Sequence, residues 1–447
     1  KYKSIVVPEA EEIRTLTRRL AAEQKVVLSK AIHYAKEVVK ARHSLDPDER
    51  PTPIKIIIHG GAGSGKSQTI KVMVMHLEKI LRKAGDHPNK PRVLVLAFTG
   101  KAASLIGGMT IHSALGLKFG YGQPLSDKKL ASLRDLLSDL KIIIIDEFSL
   151  VSADMLLQVH QRMVQIFQTD ETELFAGKSV VLVGDLLQLP PVNATPIYNP
   201  PKNPKFRHFN DVEQVFQQFE PYELEENHRQ GDGNDYANTM NQLRIGNVTK
   251  EAIELLESRI TYQSFLEDSA MHVMYTNDEV NEHNMAMLDS LQLEEVQIPA
   301  IMVHPGWYNP TMTQKDADGT GFLGTFIVKV GARVKLVYNV SVVDNLVNGS
   351  LGTVVGIERN EKNEVSSVIV ALDDQNAGER QRQKYPFLSQ KYADQNGTPI
   401  MRQDQEYQLK GITRKGKNNA VTGRVIQFPL KLAWAQTAHS MQVSNIF

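Results

Sequence analysis

Residues 60–67 read Gly-Gly-Ala-Gly-Ser-Gly-Lys-Ser and follow an apolar run, 54–58, that is typical of a buried parallel strand. They match G-x-x-x-x-G-K-[ST], a loop whose glycines let backbone N–H groups surround phosphate oxygens. The alternative is a glycine-rich turn that contains Gly-Lys-Ser without binding phosphate. The strand before the segment and the amphipathic helix after it favour the phosphate loop, so the sequence predicts a nucleoside triphosphate site.

The loop positions have separate expected roles. The helix that starts near Ser67 adds the positive end of its dipole. Lys66 reaches the outer phosphates, and the Ser67 hydroxyl can ligate Mg²⁺. The predicted nucleotide-binding residues of the loop are Gly60, Gly61, Ala62, Gly63, Ser64, Gly65, Lys66 and Ser67.

Two carboxylates end a second apolar run, since residues 141–147 read Lys-Ile-Ile-Ile-Ile-Asp-Glu. At the carboxyl end of a strand, Asp146 can hold Mg²⁺ through water, and Glu147 can polarise a water for attack on the γ-phosphate. The alternative is an acidic turn whose carboxylates favour the start of the next helix. The phosphate loop elsewhere in the chain favours the catalytic interpretation.

A third apolar run, 179–183, leads into Gly-Asp-Leu-Leu-Gln-Leu-Pro-Pro at 184–191. At the tip of such a strand, Gln188 can report on the γ-phosphate. From the residues alone it can equally be a loop amide with satisfied hydrogen bonds.

These three segments occur in order and at domain-like spacing, and together they resemble the Pif-like group of superfamily-one DNA helicases, relatives of RecD. The resemblance runs from about Leu20 to Gln442. It implies an ATP-dependent DNA helicase that uses ATP and Mg²⁺ and moves 5′ to 3′ along single-stranded DNA. It also implies a monomer that acts at duplex junctions in genome maintenance, recombination or repair.

Further segments carry residue roles through the same resemblance. Residues 20–24 resemble the group's adenine-reading segment, with Gln24 in the reading position. Asn-His-Arg-Gln at 227–230 resembles a motif that brings an arginine, here Arg229, to the phosphate. Segments 97–103, 110–113 and 428–439 resemble motifs that contact DNA. The implied DNA-binding residues are Thr99, Lys101, His112, Thr437 and His439.

Composition excludes some classes of protein and leaves a nucleic-acid partner open. Lys plus Arg and Asp plus Glu both number 51, but a local groove rather than total charge follows a phosphate backbone. No apolar run approaches membrane-spanning length, and no signal-peptide core follows the first residues. The cysteine count of 0 excludes disulfides and thiolate metal sites. We expect a soluble intracellular protein without a membrane partner, in the nucleus or mitochondrion if the source is eukaryotic.

Alternating strand and helix patterns predict an α/β fold with two RecA-like P-loop domains, each built on a parallel doubly wound sheet. Small inserted subdomains, one of them an SH3-like β-module, complete the prediction. The predicted divisions are an N-terminal helical region at 1–53, the first RecA-like domain at 54–220, the first part of the second domain at 221–322, a β-rich SH3-like module with a basic loop at 323–424, and the return to the second domain at 425–447.

Two segments within these divisions carry further expectations. Residues 107–140 form a small inserted subdomain whose glycines and aromatics suit either a strand-separating pin or an ordinary hairpin. Asn348-Gly349, flanked by Val-rich segments, predicts a hairpin turn.

The last motif departs from the group's pattern. His-Lys-Ser-Gln-Gly is usual there, whereas this chain has Ser440 in place of Lys and Val443 in place of Gly. The resemblance also predicts a later arginine-bearing motif, and the sequence ends at Phe447 as if truncated. We therefore expect nucleotide binding to survive, with turnover in question.

This expectation supports an alternative function, a nucleotide-regulated single-stranded DNA-binding protein without motor activity. A metabolic phosphotransferase is a third, which the second domain and Gln188 disfavour.

Overall fold

A computed structural model describes residues 8–43, 49–117, 125–201, 212–226, 235–261, 270–303, 321–413 and 420–441. By its internal contacts the chain divides into two compact units, Lys1–Tyr262 and Gln263–Phe447. Each unit has its own strands and its own hydrophobic core.

A parallel sheet forms the centre of the first unit. Its strands, in chain order, are β1 Lys55–Gly60, β2 Val93–Ala97, β3 Met109–Thr110, β4 Ile142–Asp146, β5 Ser179–Gly184 and β6 Glu220–Leu224. Their order across the sheet is β3-β2-β4-β5-β1-β6, and all neighbours run parallel. β4 and β5 are buried along their whole length, as expected for inner strands covered on both faces. The predicted α/β fold is confirmed.

Helices alternate with these strands along the chain. They are α1 Ala10–Arg18, α2 Ala22–Lys40, α3 Lys66–Leu81, α4 Gly100–Leu105, α5 Ile111–Leu115, α6 Asp127–Leu137, α7 Ala153–Phe167, α8 Val212–Gln217, α9 Asp235–Arg244 and α10 Lys250–Glu257. The N-terminal helical region is divided into α1 and α2 at Ala21, which has extended backbone geometry. Residues 118–124, which contain the aromatic residues Phe119 and Tyr121 of the proposed pin or hairpin, lie outside the described residues.

The first unit extends further along the chain than the predicted boundary at 220/221. β6 pairs with β1 from Ile56↔Glu220 to Gly60↔Leu224, and α9 and α10 also belong to this unit. The sequence alone predicts that the second domain begins near Pro221. β6 is an edge strand, a position where proline is tolerated.

The second unit is mainly β. Its strands are β7 His272–Met274, β8 Val296–Pro299, β9 Ile301–Val303, β10 Thr325–Val328, β11 Arg333–Leu336, β12 Leu351–Arg359, β13 Val365–Leu372, β14 Gly397–Ile400, β15 Gln403–Thr413, β16 Ala420–Gln427, β17 Leu430–Leu432 and β18 Ala435–Thr437. Its helices are α11 Asn277–Ser290, α12 Glu379–Lys384, α13 Pro386–Lys391 and α14 Ala438–Met441.

The strands of the second unit form several small sheets. A five-stranded sheet has the order β14-β13-β12-β11-β17, and a three-stranded sheet has the order β15-β16-β9. β18 pairs in parallel with β7, whereas β8 pairs with β10 in antiparallel fashion. Phe326, Phe428 and Trp434 lie in the main core of this unit. Whether the β-rich part is SH3-like stays a prediction.

Two sequence expectations for this unit differ from the structure. Asn348-Gly349 does not form a two-residue hairpin; it lies near the end of a longer connection, 337–350, between the antiparallel strands β11 and β12. The predicted basic loop within 373–424 is largely folded into helices and strands, from α12 to β16. Backbone pairing and an Arg424–Asp404 ion pair hold β15 to β16. Backbone pairing does not require apolar side chains, so the polar sequence gave no sign of these strands.

Gly184 allows β5 to approach the segment that follows β4. A Cβ at this position would lie 2.8 Å from Phe148 Cδ1 and 3.0 Å from the Phe148 nitrogen. Because Phe148 is fully buried, neither atom has room to move. We predict that Gly184→Ala lowers the free energy of unfolding by about 1–3 kcal/mol through overpacking, measured by urea denaturation. Lys71→Ala, an exposed change on α3, should stay within about 0.5 kcal/mol of the parent. An equally small effect of Gly184→Ala would contradict the close contact.

Candidate nucleotide-binding site

The phosphate loop joins β1 to α3, as the sequence predicts. α3 begins at Lys66, and its N-cap Gly65 has φ 76°, while Gly63 has φ 88°. Both angles lie in the left-handed region that favours glycine. Gly60 is required for a different reason, since a Cβ there would lie 2.8 Å from the Leu224 carbonyl oxygen. Backbone geometry therefore explains three of the loop's glycines.

Lys66 folds back onto the loop. Its Nζ donates to the carbonyl oxygens of Gly60 and Gly61, both at 2.8 Å. Burial lowers the pKa of Lys66, whereas the carboxylates of Asp185, Glu147 and Asp146 raise it. The ammonium thus lies among three acidic side chains and can exchange its carbonyl partners for phosphate oxygens.

Asp146 and Glu147 lie at the end of β4, where burial disfavours the charged form of both carboxyl groups. Burial raises the pKa of Asp146 to about 6, and burial together with Asp146 raises the pKa of Glu147 to about 7. Glu147 has φ 53°, a left-handed conformation that is uncommon for a residue other than glycine. Its Oε2 is buried and has no hydrogen-bond partner. Strain and an unsatisfied carboxylate at one residue are typical of a functional position.

The residues near the loop fit Mg²⁺ held together with a nucleotide. In the described part of the chain, no group of three or more His, Cys, Asp or Glu side chains can hold a metal by itself. Mg²⁺ is usually bound through one or two carboxylates with water and substrate phosphates, and not by an all-protein cage. The buried Asp146 carboxylate and the exposed Ser67 at the start of α3 suit this type of site.

The turn after β5 is organised by Asp185, which is only 1% exposed. Its Oδ1 accepts hydrogen bonds from the Leu187 nitrogen at 3.0 Å and from Arg244 Nη2 at 2.7 Å. Its Oδ2 accepts from Gln188 Nε2 at 3.4 Å. Sequence reasoning identified Gln188 and missed both Asp185 and Arg244. The Gly-Asp-x-x-Gln segment contained a signal for Asp185, but no local pattern marks Arg244.

Gln24 is buried and contacts the phosphate loop directly. Its Nε2 donates to the Ser64 carbonyl oxygen at 3.0 Å, and its Oε1 accepts from the Ala21 nitrogen at 3.0 Å. The side-chain amide therefore ties the start of α2 to the loop. The predicted contact of Gln24 with adenine stays a prediction.

The structure brings together the predicted DNA-binding residues of the first unit. Thr99 and His112 follow β2 and β3, whose ends pair at Ala97↔Thr110. The Thr99 hydroxyl accepts from the Ala102 nitrogen and caps α4, the helix that contains Lys101. His112 packs edge-on against Phe98, and burial lowers its pKa. One edge of the sheet thus presents three polar side chains, whose contact with DNA stays a prediction.

In the second unit, Thr437 ends β18 and accepts a long 3.4 Å bond from the Ser440 nitrogen at the start of α14, the helix that contains His439. Lys335 lies close to this segment. Its Nζ donates to Gln436 Oε1 at 3.0 Å, the same atom that accepts from the Ser440 hydroxyl at 3.2 Å. A cation is therefore present near the position where the family has lysine. Arg229 lies outside the described residues.

The buried carboxylates give the metal-free protein a pH-dependent stability. A carboxyl group whose folded-state pKa is raised binds more protons in the folded protein, so the free energy of unfolding falls as pH rises from about 4 to about 7. We predict that Asp146→Asn raises this free energy by about 1–3 kcal/mol at pH 7.5 and not at pH 4. Urea unfolding without nucleotide or Mg²⁺ measures it. The exposed Glu12→Gln is the control, and a gain of equal size at both pH values would be inconsistent with buried charge.

Comparison with known proteins identifies the family. Residues 20–253, more than half of the chain, match the profile described as PIF1-like helicase. The "ATP-dependent DNA helicase Pif1" of Psychrobacter sp. is 28% identical over 423 residues, which cover 87% of this chain and 60% of the relative. The protein of the same name from Campylobacter jejuni is 26% identical over 417 residues, which cover 88% of this chain and 81% of the relative.

The chain spans only about half to three fifths of the length of some relatives. It covers 53% of the "ATP-dependent DNA helicase PIF1" of Emericella nidulans, at 26% identity over 429 residues. No described helix of this chain has the length and hydropathy to cross a membrane.

Solved structures show the same fold. The Bacteroides Pif1 structure bound to single-stranded DNA aligns with a TM-score of 0.63 at 24% identity, covering 95% of this chain and 84% of that one. The Candida albicans Pif1 structure aligns with a TM-score of 0.63 at 22% identity, covering 95% of this chain and 87% of that one. The family assignment rests on the profile match, which includes the phosphate loop and the motifs that follow it. This chain belongs to the PIF1-like helicase family.

Proposed function

We propose that this chain binds and hydrolyses ATP and uses the energy to move along single-stranded DNA and separate duplex strands. The supporting observation is the order β4-β5-β1 in the first sheet. Because these parallel neighbours end at the same edge, they place the Asp146-Glu147 pair, the Asp185–Gln188 turn and the phosphate loop side by side. This arrangement suits hydrolysis of a nucleoside triphosphate.

Each side chain has a role in the proposed reaction. Lys66 binds the outer phosphates, and Ser67 and Asp146 hold Mg²⁺, which neutralises charge on the phosphates when bound. Glu147 polarises the attacking water, a role that suits a carboxylate whose pKa burial has raised to about 7. Gln188 senses the γ-phosphate from the turn after β5, Gln24 reads adenine, and Arg229 contacts the phosphate.

Single-stranded DNA is the proposed track. Thr99, Lys101 and His112 of the first unit and Thr437 and His439 of the second contact its backbone, with movement 5′ to 3′. Similar solved structures support this choice, since they include Pif1 bound to single-stranded DNA, Pif1 at forked duplex DNA, and Pif1 with ADP-AlF3 and single-stranded DNA. We place the activity in genome maintenance, recombination or repair inside the cell, in the nucleus or mitochondrion of a eukaryote, with a monomer as the active form.

Glu147 provides the sharpest test of hydrolysis. We predict that Glu147→Gln keeps ATP affinity within about threefold and lowers DNA-stimulated turnover by a factor of about 100 or more, since it removes a general base and leaves the phosphate contacts. Lys66→Ala should instead weaken both binding and turnover. Turnover is measured with oligothymidine present and absent, and strand separation with a forked duplex. Parent-like turnover by Glu147→Gln would refute its role.

The same assays separate the two functions. ATP turnover that does not respond to DNA would refute the helicase function. Nucleotide-dependent DNA binding without unwinding would establish the alternative, a DNA-binding protein without motor activity.

The proposed DNA edge of the first unit has its own test. We predict that Lys101→Ala weakens oligothymidine binding and reduces the salt slope by about 1, as expected for one lost phosphate contact. His112→Ala should weaken binding without changing the slope, because burial lowers its pKa and leaves the ring neutral at pH 7.5. Fluorescence anisotropy at several salt concentrations measures both. Lys36→Ala, an exposed change on α2, is the control. Parent affinity in both variants would rule out this edge.

A further inference from the structure

Arg244, the last residue of α9, reaches from a helix into the nucleotide site. Its Nη2 donates to Asp185 Oδ1 at 2.7 Å. The Asp185 side chain is 2% exposed and that of Arg244 is 24% exposed. A buried carboxylate that also accepts from the backbone after β5 holds the guanidinium in a defined position, so the direction of the remaining donors is set by the fold.

Those donors lie against the phosphate loop. A Cβ on Gly61 would come within 2.5 Å of Arg244 Nη1, which shows how closely the guanidinium covers this part of the loop. Arg244 Nε is buried and has no hydrogen-bond partner. A buried donor without a partner is costly, and a guanidinium offers five donors in a rigid fork. Nε shares a side of the guanidinium with Nη2, which Asp185 holds, so Nη1 is the donor that a ligand at the loop would meet.

The ligand's chemistry follows from the surroundings. A cavity of about 240 Å³ lies beside the loop, and its lining includes Gly61 and Arg244 together with Glu223 and Glu225. Lys66 does not line this cavity, but its ammonium donates to the carbonyl oxygen of Gly61, the residue that Arg244 Nη1 approaches. The two cations therefore lie near the same part of the loop. The charge of Arg244 also acts to lower the pKa of Lys66, so the two cations are close enough to interact electrostatically.

We propose that Arg244 is a ligand of the outer phosphates of a bound nucleoside triphosphate, with Nη2 kept on Asp185 and Nη1 donating to phosphate oxygens. The proposal rests on the nucleotide site of the proposed function and adds a residue to it. It gives the Asp185–Gln188 turn a direct mechanical link to the phosphates. It also makes Arg244 a determinant of selectivity, because a diphosphate lacks the outermost oxygens.

Equilibrium binding without DNA tests this role. ATPγS and ADP are titrated as competitors of a fluorescent ADP analogue against the parent, Arg244→Gln and Gly61→Ala. Because a hydrogen bond to a charged group contributes about 1.5–3 kcal/mol, Arg244→Gln should weaken ATPγS about tenfold or more and ADP less than about threefold. Arg259→Gln, an exposed arginine that follows α10, is the matched control and should change neither.

Gly61→Ala tests the same contact without altering Arg244. The new methyl group displaces Nη1, so ATPγS affinity should fall in the same direction. The double variant should be no weaker than Arg244→Gln by more than about twofold, because the two changes remove one interaction. If Arg244→Gln does not fold, the ATPγS affinity of Gly61→Ala tests the phosphate contact by itself.

Two results would overturn the proposal. Equal losses for ATPγS and ADP would mean that Arg244 only packs α9 against the loop, and unchanged ATPγS affinity would mean no phosphate contact. Both readouts are independent of DNA. A parent protein that selects ATPγS through Arg244 but shows no DNA-stimulated turnover would refute the helicase function and keep this assignment.

Discussion

The burial of charged groups at one edge of a sheet is the constraint that shapes the nucleotide site of the first unit. Asp146, Glu147 and Asp185 are gathered around Lys66, with Arg244 paired to Asp185. Burying carboxylates is unfavourable unless charge or hydrogen bonds compensate. The raised pKa values of Asp146 and Glu147 show that compensation is incomplete in the protein alone. In the proposed function, a divalent cation bound together with the nucleotide would supply the missing positive charge.

Such a site requires a rigid frame, and the apolar strands provide it. Residues Ile142 to Ile145 of β4 are fully buried, as are Val180 to Val183 of β5. They fix the ends of the strands where the polar groups sit. Two glycines bring these ends close together: Gly184 faces Phe148, and Gly60 faces the backbone of Leu224. The strain at Glu147 persists because close-packed neighbours hold it.

In the second unit, a cation lies close to the segment whose motif departs from the family pattern. Ser440 stands where the family usually has lysine, yet Lys335 shares the Gln436 side-chain oxygen with Ser440. Burial lowers the pKa of Lys335 to about 8, so this ammonium is less well solvated than a surface lysine. Cross-strand pairing of β11 with β17 places Lys431 directly opposite Lys335, which adds positive charge at the same location.

Local chemistry in the sequence determined the phosphate loop, the strands β1, β2, β4 and β5, and the candidate roles of Lys66, Asp146 and Glu147, because each depends on residue types within a few positions of one another. The sequence did not reveal the pairing of β6 with β1, which its edge position permits despite Pro221. Nor did it reveal Arg244, which lies 59 positions from Asp185 and meets it only when α9 packs beside the loop. Gln24 was assigned from a motif, but its bond to Ser64 joins segments 40 positions apart. Tertiary structure alone decided these contacts, since distance in space between remote segments is set by packing and leaves no local pattern.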